Sequence, residues 1–115
     1  MNIEVAAEKI DVGFLLKLKG DVDMNTSATV RNALADVFVQ DSSGMKALFI
    51  DLSQVRYIDS SGIATLVEVM QNCMKKKVRL KLVELSQPVK DVFDLARLSS
   101  VFEIVPTVND AIKSL

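Results

Sequence analysis

The sequence predicts an α/β domain with a mostly parallel central sheet, opened by an N-terminal β-hairpin. Three observations carry that expectation. Two alternating segments at the amino end are joined by a short polar turn. Beyond them, apolar runs take turns with stretches of helical period. The middle run, Ala47 to Ile50, is apolar without interruption. Unbroken apolar strands separated by helices point to right-handed crossovers and a parallel sheet covered on both faces.

Asn2 to Ala7 reads as the first strand, with Ile3, Val5 and Ala7 on one face. Lys9 to Gly13 makes a polar turn. Phe14 to Lys19 alternates again, setting Phe14, Leu16 and Leu18 against Leu15, Lys17 and Lys19. The loop DVDMNTS, Asp21 to Ser27, follows, and Asn25, Thr26 or Ser27 can cap the helix after it. That helix carries Val30, Ala33, Leu34, Val37 and Phe38 as one apolar stripe, and DSSG at Asp41 to Gly44 ends it. After the central strand, which Asp51 is expected to close, a second helix spans about Ser61 to Lys76. Its expected buried stripe is Ile63, Leu66, Val67, Met70 and Met74, with Thr65, Glu68, Gln71 and Asn72 facing away. Val78 to Leu85 reads as a strand, Pro88 to Leu95 as a short helix, and Phe102 to Val105 as a last strand. Thr107 caps a C-terminal helix, and residues 1–115 make one domain.

Composition narrows the function. The 14 basic and 15 acidic residues nearly cancel, so there is no electrostatic footprint for nucleic acid or an anionic membrane. Lys75, Lys76 and Lys77 fall at a helix end, where cations complement the dipole. The N-terminal segment MNIEVAAEKID is too polar for a signal peptide, and no segment is long and apolar enough to span a membrane. Cys73 is the single cysteine, spaced like a core residue, which suits a reducing compartment such as the cytoplasm. There is no histidine, so histidine-based triads and most zinc sites are excluded. No cofactor or metal is expected.

In a parallel sheet, function gathers in loops at the carboxyl ends of the strands. Two such loops carry chemistry: Asp21 to Thr26, and Ile58 to Gly62 in the stretch VRYIDSSGIATL. In the second, Asp59 or Ser60 can cap the helix, Ser61 fills its first turn, and Gly62 keeps that turn slim. All of this serves the fold alone. A helix start also presents unpaired N–H groups and partial positive charge, so a phosphate on Ser60 would be tolerated there. It would add about −1.5 to −2 charges beside Asp59, Asp21 and Asp23 and change surface electrostatics without unfolding. Catalysis is unsupported: Ser60 has no histidine base and no SxxK lysine, and phosphate-binding glycine loops are absent. Asp21, Asp23 and Asp51 suggest the aspartyl site of a phosphorelay receiver. The opening hairpin and the lack of a lysine in Phe102 to Thr107 argue against it.

The segments LKGDVDMNTSATVRNAL, VRYIDSSGIATL and VRLKLVELSQPVKDVFDLARLSSVFEI, in this order and spacing, together resemble the STAS domain of anti-sigma factor antagonists and sulfate transporters. The resemblance runs from about Ile3 to Leu115. It implies a non-enzymatic bacterial antagonist that binds an anti-sigma factor, itself a serine kinase, and so frees a sigma factor. It further implies that the kinase phosphorylates Ser60, with Ser61 the lesser candidate, and that a serine phosphatase reverses the step. The docking surface it implies joins Asp21, Asp23, Asn25 and Thr26 to Asp59, Ser61 and Gly62. The chain departs from the pattern in three places. Ala64 stands where a second glycine is frequent. KKKV lacks the usual glycine C-cap, which asks Lys76 or Lys77 to turn left-handed at about 1 kcal/mol. Arg97 replaces a glycine common after the third helix. A competing expectation is a non-phosphorylated STAS subunit of a lipid-transport ABC complex or a stress-signalling scaffold. A nucleotide-binding or enzymatic domain is the third, and no glycine-rich or basic strand-end loop supports it.

Overall fold

The computed structural model describes residues 3–41 and 44–115. Asn2 of the expected first strand and the two serines of the DSSG loop at 41–44 lie outside the described residues. Strands β1 (Ile3–Ile10) and β2 (Gly13–Val22) form the expected hairpin, followed by α1 (Ser27–Gln40), β3 (Ala47–Ile58) and α2 (Ser60–Lys75). Then come β4 (Arg79–Val83), α3 (Gln87–Leu95), a 3₁₀ turn at Leu98–Ser100, β5 (Ile104–Val105) and α4 (Val108–Lys113). The five strands lie in sequence order, β1 antiparallel to β2 and every later neighbour parallel.

Alternation along the strands builds two cores. Leu16, Leu18, Leu48, Ile50, Leu52 and Leu82 meet Val30 and Leu34 of α1, Leu66 and Val69 of α2, and Phe93 of α3 on one face. Leu15, Ala47, Phe49 and Val83 face the other way, against Ala111 of α4. The crossover helices α1, α2 and α3 therefore share one side, while the six-residue α4 alone packs on the other.

Three expectations need correction. The first turn is only Asp11 and Val12, because β1 continues to Ile10 opposite Gly13. Asp51 does not close β3. The strand runs on to Ile58, paired only with β2 and shifted in register twice, so Val55 and Ile58 return to the main core. The buried stripe of α2 is also rotated from the expected one. Gly62, Thr65, Leu66, Val69 and Cys73 are buried, whereas Met74 is 68% exposed. Lys81, on the face of β4 opposite Leu80 and Leu82, is fully buried. Its Nζ donates to Ala111 O at 2.9 Å and Ser114 Oγ at 2.6 Å and lies 3.2 Å from Glu103 Oε2. The alternation placed it correctly, and α4 then covered that face.

The departures in helix ends are visible in the backbone. Lys77 and Arg97 both adopt left-handed conformations, φ 59° and 58°, where glycine would rest without strain. Burial raises the Cys73 thiol from an ordinary 9.0 to about 11. Below pH 9 both folded and unfolded thiols are neutral, and from about 9 to 11 only the unfolded one ionises. The alkaline stability of the fold should therefore decline across that window, and a thiol-reactive probe at pH 8 should label Cys73 only after denaturant unfolds the chain. Lys81→Ala removes the tether of α4 and leaves buried acceptors unmatched. A loss of about 2 to 3 kcal/mol is expected by urea unfolding.

Candidate functional site

Parallel pairing brings the carboxyl ends of β2 and β3 side by side, with Val22 opposite Ile58 and Asp21 opposite Tyr57. The loop after β2 and the start of α2 therefore emerge together. Their junction is tight: Asp59 N donates to Val22 O at 3.3 Å. A Cβ on Gly62 would stand 2.1 Å from the same oxygen, so only glycine fits where α2 crosses the end of β2.

Asp59 is the cap. Its backbone is extended, and its Oδ1 accepts from Gly62 N at 2.9 Å. Ser60 thus falls at the first helical position, and its side chain is free of capping duty and exposed to solvent. Ser61 is half-buried. Of the four N–H groups that a helix start leaves over, Val22 O takes that of Asp59 and Asp59 Oδ1 takes that of Gly62. Those of Ser60 and Ser61 have no partner among the described residues. The two unpaired donors and the exposed hydroxyl share one helix end with the Asp59 carboxylate.

The facing loop is equally ordered. Asp23 Oδ1 accepts from Asn25 N at 2.9 Å and Thr26 N at 3.1 Å. Thr26 sits at the N-cap position of α1 but makes no side-chain cap. Its hydroxyl turns back to donate to Asp21 O at 2.8 Å. Ser27 Oγ donates to Asp23 O at 2.7 Å, and Thr65 Oγ1 lies 2.9 Å from both Ser27 Oγ and Ser61 O. Below this, Arg31 of α1 pairs with Glu68 of α2 at 2.7 Å, and that hydrogen bond holds the Glu68 carboxyl below its ordinary range.

The two loops singled out in the sequence therefore meet. Asn25 and Ser60 are exposed and Asp21, Asp23, Asp59 and Ser61 half-buried, while Thr26 and Gly62 are buried beneath them and set the shape of the surface. Sequence reasoning missed Met24, 75% exposed on the first loop, Tyr57, 52% exposed at the end of β3, and the buried Ser27–Thr65 contact. Met24 carried no signal among its polar neighbours. Thr65 was assigned to the solvent face because hydroxyls count as polar in any periodicity. No group of carboxylates or thiols able to hold a metal occurs among the described residues. Nor is any of their helices long and apolar enough to cross a membrane.

The sequence pattern of the STAS domain matches residues 4–111. The chain belongs to the STAS domain family. Among curated relatives, the anti-sigma-B factor antagonist of Listeria monocytogenes is 28% identical over 105 residues, 90% of each chain. That of Bacillus subtilis is 27% identical over 104 residues, covering 90% of this chain and 92% of the other. Among solved structures, an anti-sigma factor antagonist from Mycobacterium paratuberculosis superposes with a TM-score of 0.83 at 25% identity, covering 98% of this STAS domain and 93% of that chain. The opening hairpin and four helices around a mostly parallel sheet are thus this family's fold. In this STAS domain Gly62→Ala should drive a methyl into the Val22 carbonyl. A destabilisation of about 3 kcal/mol is expected in denaturant titration, against near neutrality for Gln71→Ala at an exposed position of the same helix.

Proposed function

We propose that this protein is an anti-sigma factor antagonist whose grip on its partner is released by phosphate on Ser60. The observation that carries the reading is the division of labour at the start of α2. Asp59 caps the helix, and the next residue offers an exposed hydroxyl beside two unpaired N–H groups. Nothing in the site activates that hydroxyl from within: the chain has no histidine. Ser60 is therefore a substrate for another protein's active site, and the domain acts by binding rather than by catalysis. The partner in this reading is an anti-sigma factor that is itself a serine kinase, and a serine phosphatase restores the unmodified state. The cycle consumes a nucleoside triphosphate and so runs in the cytoplasm.

The contact surface comprises Asp21, Asp23 and Asn25 on one loop and Asp59, Ser60 and Ser61 on the other, with Thr26 and Gly62 shaping it from below. Partner cations answer the carboxylates, and Met24 and Tyr57 add apolar area that is unusually exposed. A phosphate on Ser60 adds about −1.5 to −2 charges to this acidic patch. It gains the two free amides at the helix end, so the fold accepts it, while the geometry and charge offered to the partner change.

Ser60→Asp should melt within about 3 °C of the parent. By calorimetric titration it should bind the cognate anti-sigma factor, recovered by affinity capture from the native organism, at least about tenfold more weakly. Ser60→Ala should bind normally and accept no phosphate. Equal affinities for the two variants would favour a phosphate-independent accessory or scaffold role instead.

A further inference from the structure

The interior between α1 and α2 is apolar except at one place, where two hydroxyls meet. Ser27 opens α1 and Thr65 lies one turn into α2; they are 5% and 0% exposed. Thr65 Oγ1 is 2.9 Å from Ser27 Oγ and 2.9 Å from Ser61 O. Ser27 Oγ spends its own proton on Asp23 O at 2.7 Å. Only donation to Ser27 bonds the two hydroxyls, because Ser27 has already spent its proton; donation to Ser61 O would leave them lone pair to lone pair. Asp23 anchors the turn that presents Asn25, and Ser61 is the neighbour of Ser60. The buried hydroxyls thus link Asp23 to Ser27 and Ser27 to Thr65, which lies 2.9 Å from the carbonyl of Ser61, between the loop and the helix end that make the surface.

An apolar pair of similar volume would fill this space and stabilise the core at least as well. What hydroxyls add is direction, since a satisfied polar pair tolerates one relative setting of the two elements. We infer that Ser27 and Thr65 are positioning residues that hold the Asp21–Asn25 loop in register with the Ser60 turn, so that both halves engage a partner together. The inference rests on reading that surface as the anti-sigma factor's contact. Neither residue touches the partner.

Hydrogen exchange and binding of the full chain test this, using Thr65→Val, which keeps shape and removes the hydroxyl, and Thr65→Ser, which restores it. With one hydrogen bond lost, the amides of Asn25, Thr26 and Gly62 should exchange about tenfold faster in Thr65→Val, while those of β4 keep the parent rate. The anti-sigma factor captured with Ser60 intact should bind Thr65→Val about tenfold more weakly, and Thr65→Ser should recover both properties. Unchanged exchange at the loop would overturn the proposal. So would acceleration spread equally into β4, or parent-like affinity in a protein whose loop has loosened. If Ser60→Asp binds like the parent while Thr65→Val still loosens the loop, the phosphate switch fails and the positioning role stands.

Discussion

The carbonyl oxygen of Val22 is the contact on which the candidate site of this molecule depends. It accepts the Asp59 N–H and lies so close to Gly62 that no side chain fits between them. That one approach fixes where α2 begins relative to β2. It brings the Asp59 carboxylate onto the Gly62 amide and turns Ser60 outward. Parallel pairing of Val22 with Ile58 delivers the two backbones there, and the glycine lets them close. Charge and exposure at the site follow from these backbone facts rather than from any special property of Ser60 itself.

The sheet treats its two faces differently. Three helices seal one face over a continuous apolar core, whereas α4 covers a smaller cluster with the help of buried polar bonds. Lys81 passes through that cluster to reach the carbonyl of Ala111 and the hydroxyl of Ser114, and Arg79 and Glu103 continue the network at the rim. A helix of six residues buries too little apolar area to hold itself on a sheet, and directed bonds to its last turn make up the difference. Both cores thus use polar groups to set geometry where apolar packing alone would leave a helix free to slide.

Much of the candidate site was legible before any coordinates. Aspartate, serines and glycine after an apolar strand mark a helix start by capping chemistry alone, and crossover topology places that start beside the preceding strand-end loop. The choice of Asp59 over Ser60 as cap was open, because either side chain can accept from the first turn. The steric demand of Val22 on the following glycine settled it. Thr65 and Lys81 show where local pattern fails. Thr65 was read as polar and therefore outward, Lys81 carries a charge that no strand period marks as internal, and each is buried because a distant element supplies its hydrogen bonds: Ser27 for one, the end of α4 for the other.

The sequence by itself determined the hairpin, the order of strands and helices and the two loops that carry chemistry. These depend on periods, caps and turns that act over a few residues. Only the tertiary structure decided the length of β3, the face that α2 buries and which hydroxyls lie inside. Those outcomes depend on pairing and covering by segments tens of residues away, whose acceptors and bulk no local pattern records.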